Sequence, residues 1–440
     1  MKKILFLSLM GMTLAACSNE DLPFEDTTQP TSKVLSNIIS AEEAAEIATE
    51  AFNAFTENGA KSRAAVSMKS QVLALGRPSS RAEGVDADTL LYVVNFDNKQ
   101  GYAIVSAAVN DEYPVIGFVE EGEFDALEST QNPSFNYYLN AAQDHVASTL
   151  GGSTISGPTP AFTERYYLVD DRIAPKVEVE WGQDYPEGMF CPNKISGCVA
   201  TAMAQIMTVV KAPASVQLTY DARDIETQVL NWDEICKHKH SELNFQTATI
   251  NNHLAQCEAN EETHKVIGRL CRELTKRIKA TFKETSTSAS SFDARSILAD
   301  LLTNHEVSPY KYLFKNDSSY KNIFDELRNN IIYFRGENDI LEGGHAWVAD
   351  GGKITGSKIV RTYTQEHNII TGEPLVEVVY NTTTYFHFNW GWDGLNNGYF
   401  VAGVFDTTKG SNDDDSPVVI PKIRSRTNYG TEVCYYIVKI

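Results

Sequence analysis

Hydrophobic positions in the first third of the chain predict a small α+β unit. Apolar residues recur at helical spacing over residues 40–55 and again over 133–150, and Ser40 with Glu43 forms a pair typical of a capped helix start. Three apolar runs between these helices predict strands, at residues 90–96, 102–106 and 115–119. The stretch after the second helix is rich in Gly, Ser, Thr and Pro, a composition that predicts a linker.

The rest of the chain carries helical patterns first and strand-like patterns later. Small and unbranched residues predict a helix from Cys198 to Met207, and further helical patterns cover 258–280 and 292–304. Strand-like apolar runs then follow at residues 331–334, 343–352, 385–394, 398–401 and 433–438. Helices followed by strands indicate an α+β domain and not a doubly wound parallel sheet.

Length and charge narrow the functional classes. A chain of 440 residues with 42% hydrophobic residues predicts two globular domains. Its formal charge of −20 argues against nucleic acid as a partner, because nucleic-acid recognition needs a basic face.

The N-terminus predicts export. Lys2 and Lys3 precede an apolar stretch over residues 4–14, and Leu-Ala-Ala-Cys ends at Cys17. This segment resembles a bacterial lipoprotein signal, in which Cys17 carries the lipid; an ordinary signal peptide with a chance cysteine is the alternative. We therefore expect an exported protein at the outer membrane or cell surface, anchored by its N-terminal lipid alone.

The candidate nucleophile is Cys198. A thiol at a helix start is favoured as the reactive thiolate by unpaired N–H groups and the helix dipole, although a cysteine there can also be a buried core residue. The absent side chain of Gly197 is expected to leave room for substrate. Among nine histidines, His345 follows two glycines and is the preferred base, whereas His387 alternates with phenylalanines and can instead be a satisfied, half-buried residue.

A catalytic histidine also needs a group that orients its ring. Asn389 fits this role, because an amide can accept from the imidazole while the indoles of Trp390 and Trp392 shield that bond from water. Gln183 lies upstream of the cysteine and can donate its amide N–H to a developing oxyanion, together with the backbone N–H of Cys198.

Three motifs in this order resemble the streptopain family of papain-clan cysteine peptidases: Gly-Cys-Val-Ala-Thr-Ala-Met-Ala-Gln-Ile-Met at 197–207, Gly-Gly-His-Ala at 343–346 and Asn-Trp-Gly-Trp at 389–392. Residues 40–150 resemble the propeptide of that family. The resemblance implies an α+β fold, in which a small α+β prodomain precedes a papain-like peptidase domain. That domain has a helical lobe with the cysteine and an antiparallel sheet lobe with the histidine.

The same resemblance implies a cysteine endopeptidase made as a zymogen. Its residue roles follow the motifs: Cys198 as nucleophile, His345 as base, Gln183 as oxyanion donor, and Asn389 with Trp390 and Trp392 as the supporting group. Polypeptide substrates and the chain's own propeptide, as an intramolecular inhibitor, are the implied partners. No metal or cofactor is implied.

The expected organisation has five parts. These are a signal peptide at 1–17, a tether at 18–39, an inhibitory propeptide at 40–150, a linker with the activation cleavage at 151–176, and a peptidase domain at 177–440. Two alternatives stay open. The same Cys-His-Asn order serves papain-fold acyltransferases or amidases of the transglutaminase type, and a peptidase scaffold can also serve as a non-catalytic surface binding protein.

Overall fold

The structure is a computed structural model that describes residues 38–56, 71–75, 89–129, 132–152, 162–220, 224–239, 260–289, 291–313, 317–338, 343–367, 374–405 and 432–440. The predicted signal segment with Cys17 lies outside these residues, as does the predicted tether up to residue 37. Among the described helices, none combines the length and the apolar character needed to cross a membrane.

Eight α-helices form in the described parts of the chain: α1 Ala41–Phe55, α2 Ala126–Ser129, α3 Pro133–Gly152, α4 Cys198–Val210, α5 Trp232–Ile235, α6 Glu261–Arg277, α7 Ser291–Leu301 and α8 Asp317–Glu326. The helices predicted from apolar spacing are confirmed. At the start of α1, the Ser40 hydroxyl accepts from the Glu43 N–H at 3.1 Å, as the N-cap prediction requires. The Glu43 carboxylate accepts from Arg165 at 2.8 Å, so the reciprocal half of the capping box is replaced by a long-range ion pair.

Fifteen strands lie in the described residues: β1 Gln71–Leu75, β2 Leu91–Asn95, β3 Tyr102–Ser106, β4 Val115–Val119, β5 Phe162–Ile173, β6 Ser215–Thr219, β7 Ile225–Val229, β8 Thr281–Phe282, β9 Thr287–Ser288, β10 Lys311–Tyr312, β11 Asn330–Asn338, β12 Gly343–His367, β13 Pro374–Asn389, β14 Gly398–Val401 and β15 Glu432–Lys439. Two short 3₁₀ segments cover Asp97–Lys99 and Ala402–Phe405.

One antiparallel sheet runs through both predicted units. Its strand order is β1-β2-β3-β4-β14-β13-β12-β11-β15-β10, with β5 paired to β12 beside this path. The junction is the pairing of β4 with β14, where Gly117 lies opposite Phe400. A Cβ at Gly117 would lie 2.7 Å from the Phe400 ring, so the glycine permits this close approach. The sequence predicts the two units but not the strand pair that joins them.

The predicted linker contains a strand. β5 falls within residues 151–176 and pairs with β12 from Gly352 to Thr362. β12 continues beyond its predicted last residue, 352, and β13 begins before its predicted first residue, 385, so the two form a long hairpin with Thr362 opposite Val376. The outer end of β13 is apolar but exposed, with Val376 52% and Tyr380 73% exposed, so burial in the core does not define this part of the hairpin.

The central strands are apolar on both faces, because successive side chains point to opposite sides of a sheet. Phe334 and Trp347 face a core that contains Phe55 of α1 and Phe135 of α3. Neighbouring residues face the opposite core, formed mainly with α4, α6 and α7; they include Tyr333, Ala346, Val348 and Tyr436. Helices from the first third of the chain therefore cover one face of the sheet, and the helix that begins at Cys198 covers the other.

Candidate active site

Cys198 is the first residue of α4, and Gly197 sets the turn before it. Gly197 has φ +86°, in the left-handed region that favours glycine, and no side chain caps the helix. A Cβ at Gly197 would lie 2.9 Å from the Thr287 carbonyl oxygen. The missing side chain was expected to leave room for substrate, but a Cβ at Gly197 would point at Thr287 and not into open space, so this expectation is wrong. The β8–β9 hairpin fills the space, and the glycine is needed for its backbone conformation and for this contact.

The thiol of Cys198 contacts the strand that carries His345. The backbone N–H groups of Ala346, Val199 and Cys198 itself donate towards the sulfur and favour the thiolate. Burial opposes them more strongly and raises the pKa of the Cys198 thiol above its usual value. Cys198 packs against the apolar cluster that contains Ala346, the residue that follows His345, so α4 and β12 meet close to the two predicted catalytic residues.

The ring of His345 lies against the first third of the chain. It makes an edge-to-face contact with Tyr137 of α3, with 6.0 Å between ring centroids. Gly336 lies opposite His345 in the β11–β12 register, and a Cβ there would collide with the Tyr137 ring. Burial lowers the pKa of His345 to about 4. Its ring nitrogens have no hydrogen-bond partner in the part of the chain that the structure describes.

Gln183 is held in the loop that leads into α4. Its backbone carbonyl accepts from the Ser196 N–H at 2.8 Å and from the Ser196 hydroxyl at 3.1 Å. The residue is 9% exposed, and its side-chain amide makes no hydrogen bond within the described residues. The loop therefore brings an uncommitted amide donor close to the start of the helix that carries the candidate nucleophile.

Asn389 is buried between β13 and α4. Its amide oxygen accepts from Gln205 Nε2 at 2.8 Å and from the Gly391 N–H at 3.1 Å, and its Nδ2 donates to the Val179 carbonyl at 3.1 Å. Among the described residues, no hydrogen bond joins Asn389 to His345. The structure thus gives the Asn389 side chain other partners than the imidazole that the sequence analysis assigned to it.

The two tryptophans differ in environment. Trp390 is fully buried, its Nε1 donates to the Asn396 carbonyl at 2.8 Å, and its ring lies 5.5 Å from that of Trp347. Trp392 is half-buried in the following turn, where its carbonyl accepts from the Leu395 N–H at 2.9 Å. Trp390 therefore belongs to the core beneath Asn389, while Trp392 lies nearer to the surface.

His387 is bound to a buried carboxylate. Its Nδ1 lies 2.6 Å from Asp350 Oδ1, and the other oxygen of Asp350 accepts the backbone N–H groups of Lys176 and Val177 at 3.0 and 2.8 Å. His387 is the satisfied, half-buried histidine that the sequence offered as an alternative to a catalytic one.

Family comparisons agree with this geometry. The model of the Peptidase C10 family matches residues 181–400, half of the chain, and these residues include Gln183, Cys198, His345 and Asn389. The chain belongs to the Peptidase C10 family. The resemblance to the streptopain family is thereby confirmed. A second family, described as Spi protease inhibitor, matches residues 36–146, the region that contains α1, α2 and most of α3.

A known relative of this C10 chain is the thiol protease/hemagglutinin PrtT of Porphyromonas gingivalis. The two are 25% identical over 345 residues, an alignment that covers 72% of this chain and 34% of that protein. The C10 chain therefore spans about a third of the relative it matches.

Three polar residues around the C10 site were missed by the sequence analysis: Ser196, Thr201 and Gln205. Thr201 and Gln205 lie four residues apart on α4, so they share one face of an otherwise apolar helix. A buried polar side chain needs a hydrogen-bond partner, and polar residues at helical spacing within an apolar run are the signal that would have found them. Within the described residues, no group of three or more His, Cys, Asp or Glu side chains is arranged to hold a metal ion.

Proposed function

We propose that this C10 chain is the precursor of a cysteine endopeptidase that hydrolyses polypeptides through Cys198 and His345. The observation that carries the proposal is that Cys198 packs against the apolar cluster that contains Ala346, the residue after His345 on β12. The uncommitted amide of Gln183 supports it, since oxyanion stabilisation needs a donor that is free before substrate binds.

The reaction follows from these groups. In the active enzyme, His345 takes the proton of the Cys198 thiol, and the thiolate attacks the carbonyl carbon of the scissile peptide bond. The Cys198 N–H and the Gln183 amide donate to the oxyanion that forms. The protonated His345 then gives its proton to the leaving amine, and water hydrolyses the thioester to release the acid and restore the thiol.

We extend the proposal to a papain-like arrangement of two lobes with the substrate cleft between them. The core built on α4, α6 and α7 corresponds to a helical lobe. The strands β11 to β14 correspond to a sheet lobe. Cys198 begins α4 and His345 lies on β12, so each of the two proposed lobes contributes one of the two residues.

The first third of the chain acts in this proposal as an intramolecular inhibitor. Tyr137 of α3 covers the ring of His345, and burial disfavours both the imidazolium and the thiolate that catalysis needs. A peptidase needs an unpaired, extended stretch of substrate, so we place the activating cut within 151–176 but outside the hydrogen-bonded strand β5.

Replacement of the nucleophile tests the peptidase proposal. Cys198→Ala, processed in trans by active enzyme, is expected to lose peptide hydrolysis and labelling by a peptide epoxide such as E-64. Cys236→Ala removes another half-buried thiol and is expected to keep both. Turnover near that of the wild type in Cys198→Ala would overturn the mechanism. An added amine that becomes joined to the acyl group, instead of hydrolysis, would indicate the acyltransferase alternative.

We also propose that the chain is exported and lipid-anchored through Cys17 at the outer membrane or cell surface. The support is the sequence alone: a basic start, an apolar stretch over 4–14 and Leu-Ala-Ala-Cys. Cys17→Ser is expected to abolish incorporation of labelled fatty acid and to move the protein from the detergent phase to the aqueous phase. Unchanged lipid labelling in this variant would contradict the proposal.

A further inference from the structure

The segment that carries Gln183 has no helix or strand of its own, yet side chains bind it along most of its length. We name residues 176–183 the oxyanion segment. Its hydrogen bonds run from Lys176 N and Val177 N to Asp350, from Asn389 Nδ2 to Val179 O, from Gln205 Nε2 to Trp181 O, from Thr201 Oγ1 to Gly182 O, and from Ser196 to Gln183 O. Buried backbone groups outside regular structure need such partners.

Two buried amides form the centre of this set. Gln205 Nε2 donates to Asn389 Oδ1 at 2.8 Å and lies 3.4 Å from the Trp181 carbonyl, and Asn389 Nδ2 donates to the Val179 carbonyl at 3.1 Å. Asn389 is 2% exposed and Gln205 fully buried. The pair therefore joins α4, β13 and the oxyanion segment at one point.

The nucleophile and the supports of the oxyanion segment share one helix. Cys198 begins α4, and Thr201 and Gln205 follow it on the same helix. Thr201 Oγ1 reaches the Gly182 carbonyl at 3.0 Å, directly before Gln183. A helix is rigid over this length, so these bonds to α4 fix the distance between the Cys198 thiol and the Gln183 backbone.

We propose that Asn389 and Gln205 are positioning residues for the oxyanion donor Gln183, and that Asn389 does not act by orienting His345. The inference rests on the proposed peptidase function. An oxyanion donor works only within hydrogen-bond distance of the developing charge, and a displacement of about 1 Å can cost ~100-fold in rate. The Gln183 side chain has no partner of its own among the described residues, so its place depends on the backbone that this amide pair holds.

The test separates oxyanion stabilisation from formation of the thiolate–imidazolium pair. The variants are Asn389→Ala, Gln205→Met and the double variant, with Gln183→Ala as the reference for complete loss of the donor. A peptide aldehyde reports the oxyanion site, because its hemithioacetal oxygen occupies that place. The pH profile of Cys198 alkylation by iodoacetamide reports the ion pair with His345.

We expect both single variants to lose about 10–100-fold in kcat and in aldehyde affinity, with KM within about 3-fold and the alkylation profile unshifted. The double variant is expected to lose about as much kcat and aldehyde affinity as the more impaired single variant, because the two amides act as one unit. Asn330→Ala, which removes a buried amide bound to Glu326 elsewhere in the sheet, serves as the control and should leave the aldehyde affinity unchanged.

Three results would overturn the proposal: a shifted alkylation profile in Asn389→Ala, wild-type activity in Gln205→Met, or a loss of kcat without loss of aldehyde affinity. If either amide variant fails to fold, Thr201→Val takes its place. It keeps the amide pair and removes the Thr201 hydroxyl, which bonds the Gly182 carbonyl at 3.0 Å, the Gly197 carbonyl at 3.2 Å and the Ser196 hydroxyl at 3.2 Å. It should lower kcat and aldehyde affinity together. Wild-type protein that neither binds the aldehyde nor alkylates would instead refute the peptidase function itself.

Discussion

The two sides of the candidate site are held by different parts of the chain. On the cysteine side, Ser196 and two residues of α4 bind the backbone carbonyls of residues 181–183, and Cys198 begins the same helix. On the histidine side, His345 has no hydrogen bond to its ring within the described residues and packs on Tyr137, in the region that matches the inhibitor family.

This difference indicates that the proposed activation changes the histidine side of the site and not the cysteine side. The cysteine side is built from residues 176–205 and β13, all within or next to the stretch that matches Peptidase C10, so we expect it to survive removal of the first third of the chain. Under the proposed activation, the histidine side would lose the Tyr137 contact. We expect water then to reach His345 and its pKa to rise from about 4, so that the imidazolium needed by the thiolate can form.

Removal of the imidazole is expected to have the largest effect. His345→Ala in the processed enzyme should lower kcat/KM by about 10⁴-fold or more, because the general base and the thiolate partner disappear together. Peptide hydrolysis measures this loss. His387→Ala is the matched control, since its ring is bound to Asp350 and not to the nucleophile. A larger loss in His387→Ala than in His345→Ala would reverse the two assignments.

The Tyr137 contact is the next test of the histidine side. Tyr137→Ala in the precursor should lower the free energy of unfolding by about 3 kcal/mol, because a buried ring is lost. It should also uncover His345 and so increase the rate of Cys198 alkylation at neutral pH. Phe52→Ala deletes a ring that packs on Phe96 and Phe118, away from the site, and should leave alkylation much less affected. Equal rates in the two variants would mean that Tyr137 does not control access.

Gly197 tests how tightly the cysteine side is built. Gly197→Ala should cost about 2–3 kcal/mol in the free energy of unfolding and lower activity, because φ is +86° and the new Cβ would press on Thr287. Gly122 also has φ +86°, but a Cβ there meets nothing within 4 Å, so Gly122→Ala should cost only about 1 kcal/mol. Urea unfolding of the precursor compares them, and equal costs would contradict the contact.

The smallest expected effect concerns pH. Burial raises the pKa of Glu50 on α1 to about 7, so the folded precursor loses stability as pH rises from 4.5 to 7. Burial lowers the pKa of His345 to about 4, so the precursor also loses stability as pH falls from 6.5 to 4. Glu50→Gln removes the first loss and should raise stability at pH 8 by about 1–2 kcal/mol after allowance for partial exposure.

Urea unfolding at pH 4.5 and pH 8 measures this change. Glu50→Gln and wild type should differ little at pH 4.5, where the wild-type carboxyl is neutral, and the variant should then show a stability that rises with pH between 4 and 6.5. Glu46→Gln, on the same helix, removes a carboxylate that raises the pKa of Glu50 less than burial does, so this variant should weaken the wild-type dependence without abolishing it. A difference that grows towards low pH would give the opposite sign and contradict the assignment.

Elements with a strong local pattern were predicted closely from sequence. The helix α1, the strands β2 to β4 and the helix at Cys198 lie within a residue or two of their predicted starts. The strand β5 and the outer halves of β12 and β13 were not predicted. Side chains at the outer end of β13 are exposed, so burial in the core does not define that part of the hairpin, and the partner of β5 is distant in sequence. The β4–β14 pair was missed because its two strands, although buried, are distant in sequence.

The residues of the candidate site show the same difference between local sequence patterns and contacts made after folding. Cys198 and His345 were assigned from short motifs, since a glycine-flanked nucleophile and base are recognisable from their neighbours alone. The partners of Asn389 were not recognisable, because an amide can bond to any donor or acceptor that folding brings to it. Its observed partners, Gln205 and Val179, lie 184 and 210 residues away in the chain.

The sequence by itself therefore determined the family, the helix that begins at the nucleophile and the order of the motifs, all of which depend on residues close together in the chain. Only the tertiary structure decided that one sheet joins the inhibitor region to the peptidase, that Tyr137 packs on His345, and that Asn389 supports the oxyanion segment. The physical reason is that strand pairing, ring contacts and amide hydrogen bonds depend on which groups meet after folding.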